Sequence, residues 1–288
     1  MSLFLQSLIS GILVGGAYAL IGIGLTLIFG VMRVTNFAHG ELLMVGMYLT
    51  YFAFKLAGID PFVSVLLVIP TMFVLGAVLQ RTLIQRLLGT LPQNQILLTI
   101  GLGLVLSNTS MLLFTSDYRI ISTPYSSASV RLGTVSISQP LLISFLVTAA
   151  LSAALYWFLS RTFTGRAIRA TAQDRDAAQL MGVDVQRMGV IAFGIGAALA
   201  GTAGTLISPT YYIFPQVGGA FTLKAFVIVV LGGMGSVAGA TLGGIIIGVV
   251  ESLAAVYASA SVKEIFVYVL FLAVLLVKPS GLLGKSRV

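Results

Sequence analysis

A chain of 288 residues with 16 Lys+Arg, 8 Asp+Glu and no Cys has only 8% charged side chains, against roughly 25% in an ordinary soluble domain. With 58% hydrophobic residues, 32 glycines and a mean hydropathy of +1.08, too little polar surface remains to wet a fold, so lipid is the expected solvent. Low charge excludes a disordered chain and a nucleic-acid module, and the missing Cys excludes a disulfide scaffold; the net +8 is spread over short loops, as membrane topology would place it.

Apolar stretches of spanning length fall at Leu3 to Met32, Leu42 to Phe54, Pro61 to Gln80, Gln95 to Thr115, Pro140 to Ser160, Met188 to Ser208, Ala225 to Ala258 and Ile265 to Val277. They predict an all-α polytopic membrane protein of about eight transmembrane segments, folded as one domain over residues 1–288, with Gly-rich broken or re-entrant elements and a short cytoplasmic helix in a loop at 161–187. The first stretch is kept as a span, because residues 1–10 hold no cation and its apolar run exceeds the roughly 7–15 residues of a signal core. Five arginines place the 161–187 loop inside, and alternation puts Arg33, Arg81, Arg86, Lys278, Lys285 and Arg287 with it. Lys55, Arg119, Arg131, Lys224 and Lys263 then fall outside, with the N-terminus outside and the C-terminus inside. The stretch from Ala225 must enter and return, which gives seven crossings and a hairpin, or nine crossings if both arms span.

Two breaks stand out in chain order. Between the first two apolar stretches, residues 33–41 form a polar nonapeptide with the only His. Asn36, His39 and Glu41 could line a translocation path, since ionisable groups at membrane depth are costly; a cytoplasmic turn capped by Asn36 is preferred, because alternation puts this loop inside. In the seventh stretch, Gly232, Gly233, Gly235 and Ser236 interrupt an apolar run without a charge. Such a break must lie inside protein or line a watery cavity, so it is either part of a solute path or a glycine-lined packing seam, with the small-xxx-small pairs Gly239/Gly243 and Gly244/Gly248 beside it. Glu251 is the one acid well inside an apolar stretch, either functional or reaching water near the outer end of the hairpin.

No catalytic, cofactor-binding or metal-ligating residues are expected. One His and no Cys cannot build a transition-metal site, and Glu41, Asp60 and Glu251 lie in separate segments. Gly284-Lys285-Ser286 resembles the end of a phosphate loop, but Pro279 stands where its first glycine is required and no strand precedes it. A stand-alone secondary transporter would need coupling-ion groups in the membrane, and few are present.

The 161–187 loop is Ala-rich from Ile168 to Met181, with Gly182 where a helix would end, and reads as one short cytoplasmic helix. Its Asp176-Ala177-Ala178, three residues, then Gly182 resembles the Glu-Ala-Ala-x-x-x-Gly signature by which permeases of ATP-binding-cassette (ABC) importers dock onto their ATPases, with Asp for the usual Glu. Together with Gly16-Ala-Tyr-Ala-Leu20, Gly24-Leu-Thr-Leu-Ile-Phe-Gly30-Val31, Asn36-Phe-Ala-His-Gly40, Gly165-Arg-Ala167 and Gly232-Gly-Met-Gly-Ser236, nearly the whole chain resembles the LivH-type permeases of bacterial branched-chain amino acid ABC importers. The resemblance implies an inner-membrane transport subunit that is not itself an enzyme. It would work with a second, LivM-like permease, two cytoplasmic ATPases that hold the ATP and magnesium, and a periplasmic binding protein for leucine, isoleucine or valine. Related permeases serve urea, amides, aromatic acids and sugars. It also implies ATPase coupling through Arg169, Gln173, Asp174, Asp176, Ala177, Ala178, Met181 and Gly182.

Overall fold

The computed structural model describes residues 2–132 and 135–284. Its helices, in chain order, are α1 (Ser2–Met32), α2 (His39–Ala57), α3 (Val65–Thr82, prolonged by a 3-10 turn at Ile84–Leu87), α4 (Pro92–Phe114), α5 (Gln139–Arg161), α6 (Phe163–Gln173), α7 (Arg175–Leu180), α8 (Val185–Ile207), α9 (Val217–Gly232), α10 (Val237–Tyr257) and α11 (Lys263–Val277). Six of them, α1, α3 with its extension, α4, α5, α8 and α10, are long and apolar enough to cross a membrane. The expected helical membrane protein is present, with one addition: β1 (Ser129–Leu132) and β2 (Val135–Ser138) form an antiparallel hairpin before α5.

Helices α1 and α8 form the centre, each with 83% of its most apolar window buried, whereas α3, α4 and α5 bury 17–28% and turn broad apolar faces outward. Small residues set the central spacing. On α1, Gly11 and Gly15 lie against Val249 and Ile245 of α10, and Gly24 lies against the Gly196 carbonyl of α8, so backbones meet where side chains would hold them apart. On α10, Gly244 and Gly248 face α1 while Gly239 and Gly243 face α9, which makes these pairs a packing seam.

The bundle has two ends. At the first, Gln6 of α1 makes hydrogen bonds to both backbone groups of Ser136, Arg119 and Ile213 pair as an isolated β-bridge, and Tyr125 donates to Asp60 at 2.5 Å. Burial, then that bond, pushes the Tyr125 phenol above its usual range. At the second, Gln85 donates to Gln186 at 2.9 Å, and the segment after α11 folds onto the α9–α10 turn, with Leu282 N–H donating to Leu231 O and Leu283 N–H to Gly232 O. The segments around Asp60, Tyr125, Ser136 and Ile213, expected outside, therefore share the first end. Lys285, Ser286 and Arg287 lie outside the described residues.

Three expectations change. The helix read from Ile168 to Met181 is two helices, because Asp174 adopts an extended backbone (φ −147, ψ 111) that ends α6 while its carboxylate caps α7. The Gly232 to Ser236 break is not at the middle of the bundle: Gly30, near the end of α1, has Gly235 Cα as its nearest neighbour, so the turn sits at the second end. Gly233 (φ 100) and Gly235 (φ 87) give it the left-handed backbone that reverses α9 into α10. The deep break lies earlier, where α9 begins at Val217 rather than at Ala225.

Candidate functional site

After α1 the chain turns at Arg33 (φ 55) and runs back alongside the helix it has just left. Asn36 Oδ1 accepts from Ala38 N–H at 3.0 Å, and α2 starts at His39, whose Nε2–H donates to Ile21 O at 3.0 Å. A carbonyl can only accept, so the proton is on Nε2 and Nδ1 is left as an acceptor. Because Ile21 lies well inside α1, α2 begins near the middle of the bundle. Asn36 and His39 are fully buried and Glu41 is 8% exposed. The solvated turn expected here is thus corrected: the nonapeptide is polar because it supplies backbone and side-chain partners inside the bundle, not because water surrounds it.

Helix α9 begins at the same level. Phe221 meets Tyr18 edge-on, Ile228 fills the space beside Gly22, and Gly235 reaches Gly30, so α9 follows α1 from about its midpoint to its end. Gly40 and Gly218, each the second residue of its helix, bring the two helix starts together. A side chain at Gly40 would collide with Gly218 O and Thr222, and one at Gly218 would collide with the Glu41 carboxylate. Gly40 N–H donates to Thr222 Oγ1 at 3.0 Å, and Thr222 donates to Phe37 O at 3.3 Å. From this junction α2 runs to the first end and α9 to the second. Two helix N-termini therefore converge beside Glu41. Glu41 Oε2, His39 Nδ1 and Asn36 Nδ2 are buried without a hydrogen-bond partner among the described residues.

Asn36, His39 and Glu41 are thus gathered at mid-depth, while Gly232, Gly233, Gly235 and Ser236 lie apart from them at the second end. Ser236 caps α10 by accepting from Gly239 N–H at 3.0 Å. The residues not foreseen are Gly218 and Thr222. Their signal was the uncharged interruption from Phe214-Pro215 to Gly218-Gly219, which reads as an ordinary outer loop until α9 is placed.

The turn shares the second end with α6 and α7. A cavity of about 230 Å3 is walled by Thr26 and Gly30 of α1, Ile168 and Arg169 of α6, and Gly235; a second, of about 410 Å3, lies between Arg33 and residues Gln173 to Asp176. Helix α6 buries Gly165, Ala167, Ile168 and Thr171 and leaves Arg169 and Gln173 exposed. Asp174 Oδ1 accepts from Ala177 N–H at 2.9 Å. After α7, Gly182 (φ 83) turns the chain, and Val183 N–H donates back to Ala178 O at 3.0 Å. Asp176 and Ala177 are exposed, Leu180 and Met181 are 88% and 84% exposed, and Ala178 is buried within this chain.

Lys224 and Glu251 correct the charge map. Lys224, expected in an outer loop, is 4% exposed inside α9, and Glu251 is 5% exposed rather than reaching water. Both Glu251 oxygens accept from Lys224 at 3.0 Å, and Oε1 also lies 2.7 Å from Lys263 Nζ. Lys224 further donates to the Tyr18 hydroxyl at 3.3 Å and stands over the Tyr18 and Phe221 rings. Among the described residues no three His, Cys, Asp or Glu side chains group as a metal site.

Residues 7–275 match the family described as branched-chain amino acid transport system, permease component. The chain is 34% identical to the high-affinity branched-chain amino acid transport system permease protein BraD of Pseudomonas aeruginosa, covering 99% of this chain and 97% of that protein. It is 33% identical to the permease protein LivH of Salmonella typhimurium over the same shares. It is also 31% identical to a probable LivH of Methanocaldococcus jannaschii, over 92% of this chain and 88% of that one. No solved structure matches.

Proposed function

This chain belongs to the permease family of branched-chain amino acid transport systems, and from that premise we propose that it is a membrane subunit of an ATP-driven importer carrying leucine, isoleucine or valine into the cell. It resides in the inner membrane as a single domain over residues 1–288. The second end faces the cytoplasm, because the five arginines of 161–187 gather there. The path passes the α2–α9 junction, where Asn36, His39 and Glu41 supply polar groups, and leaves beside the Gly232, Gly233, Gly235 and Ser236 turn. The chain makes nine passages, two of them completed by the non-helical segments that lead into α2 and α9. A backbone break at that depth is tolerated inside protein or beside water, not against lipid.

ATP and magnesium are held by two partner ATPases, and a second permease and a periplasmic binding protein complete the machine. The observation that carries the coupling role is α7 itself: a charged helix at the arginine-rich end whose Leu180 and Met181 are left uncovered by the rest of the chain. Docking on α6 and α7 then uses Arg169, Gln173, Asp174, Asp176, Ala177 and Met181, with Ala178 and Gly182 holding their shape. Extraction of the tagged chain from its native membrane should bring stoichiometric ATPase subunits. Vesicles holding that complex with ATP should accumulate leucine when the loaded binding protein is supplied. Leucine transport by this chain alone, without ATP, would overturn the reading in favour of a secondary transporter.

A further inference from the structure

Near the first end, α1, α5, α9, α10, the end of α8 with its following loop and the start of α11 line a cavity of about 270 Å3, just below the roughly 300–1,000 Å3 of drug-sized sites. Most of its wall is apolar, from Leu13, Leu141, Ile207 and Phe221, and its polar groups include Glu251 and Lys263. Glu251 belongs to a cluster that balances overall: Lys224 and Lys263 stand against Glu251 and Glu264, the last 3.7 Å from Lys224. Capacity remains on both signs. Among the described residues, Glu251 Oε2 accepts from Lys224, and the Lys263 ammonium, 32% exposed, has one salt-bridge partner for its three donors. Buried charge tolerates an added single charge poorly, but a molecule that brings both signs keeps the balance.

We propose that this cavity binds the solute itself, as a small zwitterion with an apolar side chain: its carboxylate on Lys263, its ammonium on Glu251, and its side chain among Leu13, Leu141, Ile207 and Phe221. The assignment deepens the importer reading and rests on it for the choice of leucine as probe. Tyr211, 37% exposed, and Lys263 open the cavity toward the first end, the side on which a binding protein would release its load. A zwitterionic lipid headgroup has the same pair of charges, and the test separates the two.

The experiment is saturation binding of radiolabelled leucine to the full chain in phosphatidylglycerol nanodiscs. Leucine should bind saturably, while 4-methylpentanoate, which lacks the ammonium, and isoamylamine, which lacks the carboxylate, should each compete at least about tenfold more weakly, since hydrogen bonds to charged groups contribute that much. Ala255→Leu, which fills the cavity from α10, should weaken leucine at least about tenfold at an unchanged unfolding temperature, and Lys263→Met should weaken it at least about tenfold and isoamylamine, which has no carboxylate, much less. No saturable binding, equal competition by the two analogues, or full binding by Lys263→Met would overturn the site. In phosphatidylethanolamine nanodiscs, native mass spectrometry that finds a retained lipid released by Ala255→Leu, with no leucine bound, would assign the cavity to a headgroup and also overturn it. Unchanged ATP-dependent uptake by both variants in the assembled transporter removes this site and leaves the importer standing, whereas failure of the unmodified transporter to take up leucine removes the importer.

Discussion

At the scale of single residues, close approach decides more than polarity does. Gly40 lies where two helix starts touch, so Gly40→Ala drives a methyl into Gly218 O, and overpacking of this kind costs about 1–3 kcal/mol. Gly101 of α4 has open space where a side chain would go. Gly40→Ala should therefore lower the thermal unfolding temperature of the detergent-solubilised chain and abolish uptake, while Gly101→Ala leaves both unchanged; equal behaviour would show that the junction is loose. The buried ion pair gives an asymmetric expectation. Glu251→Gln takes from Lys263 its 2.7 Å partner and leaves Lys224 the longer 3.7 Å contact to Glu264, whereas Lys224→Met leaves Glu251 its 2.7 Å contact to Lys263. Breaking a buried pair costs roughly 3–5 kcal/mol when a charge is left alone, so Glu251→Gln should lower the unfolding temperature more than Lys224→Met. The sequence marked Glu251 as an acid inside an apolar stretch but not its partner: one Lys in an apolar run reads equally as a loop cation until the Glu a turn and a helix later is placed beside it.

At the scale of elements, the apolar spans were readable because each needs only length and composition, and Pro92 and Pro140 mark the starts of α4 and α5. Two elements hid for physical reasons. The start of α9 carries no charge and no cap side chain to announce it, and the division at Asp174 comes from a carboxylate that serves as a cap inside an otherwise good helical run. That division changes how coupling should be tested. Ala178 is buried against this chain, so Ala178→Trp is expected to disturb the fold of the loop itself. Ala177 is exposed on the same helix, so Ala177→Trp should leave insertion and stability intact and abolish ATP hydrolysis stimulated by loaded binding protein in the nanodisc complex. Gly182→Val should also lose stimulation, because a β-branched residue resists φ 83. Full stimulation by Ala177→Trp would make α7 a plain connector.

At the scale of the whole molecule, the two ends follow from alternation, but the middle does not: two short helices start at mid-depth and leave in opposite directions. Single cysteines test both statements in a chain that has none of its own. Ser127 is exposed at the first end and Gln179 at the second, so an impermeant thiol reagent outside spheroplasts should label Ser127→Cys and spare Gln179→Cys. The reverse pattern would invert the orientation. Gly219, at the start of α9, is exposed and has open space beside it, although it lies near the middle of the bundle. It is the thiolate that attacks a thiol reagent, its formation needs water or a nearby positive field, and a helix N-terminus in a hydrated path supplies both. A cysteine facing lipid supplies neither. Gly219→Cys in the assembled transporter should therefore react with a small cationic methanethiosulfonate reagent, more slowly than Ser127→Cys, and its rate should fall when loaded binding protein and ATP hold the path occupied. Complete resistance in every state would place the start of α9 against lipid or a dry partner surface and would remove the α2–α9 junction from the path.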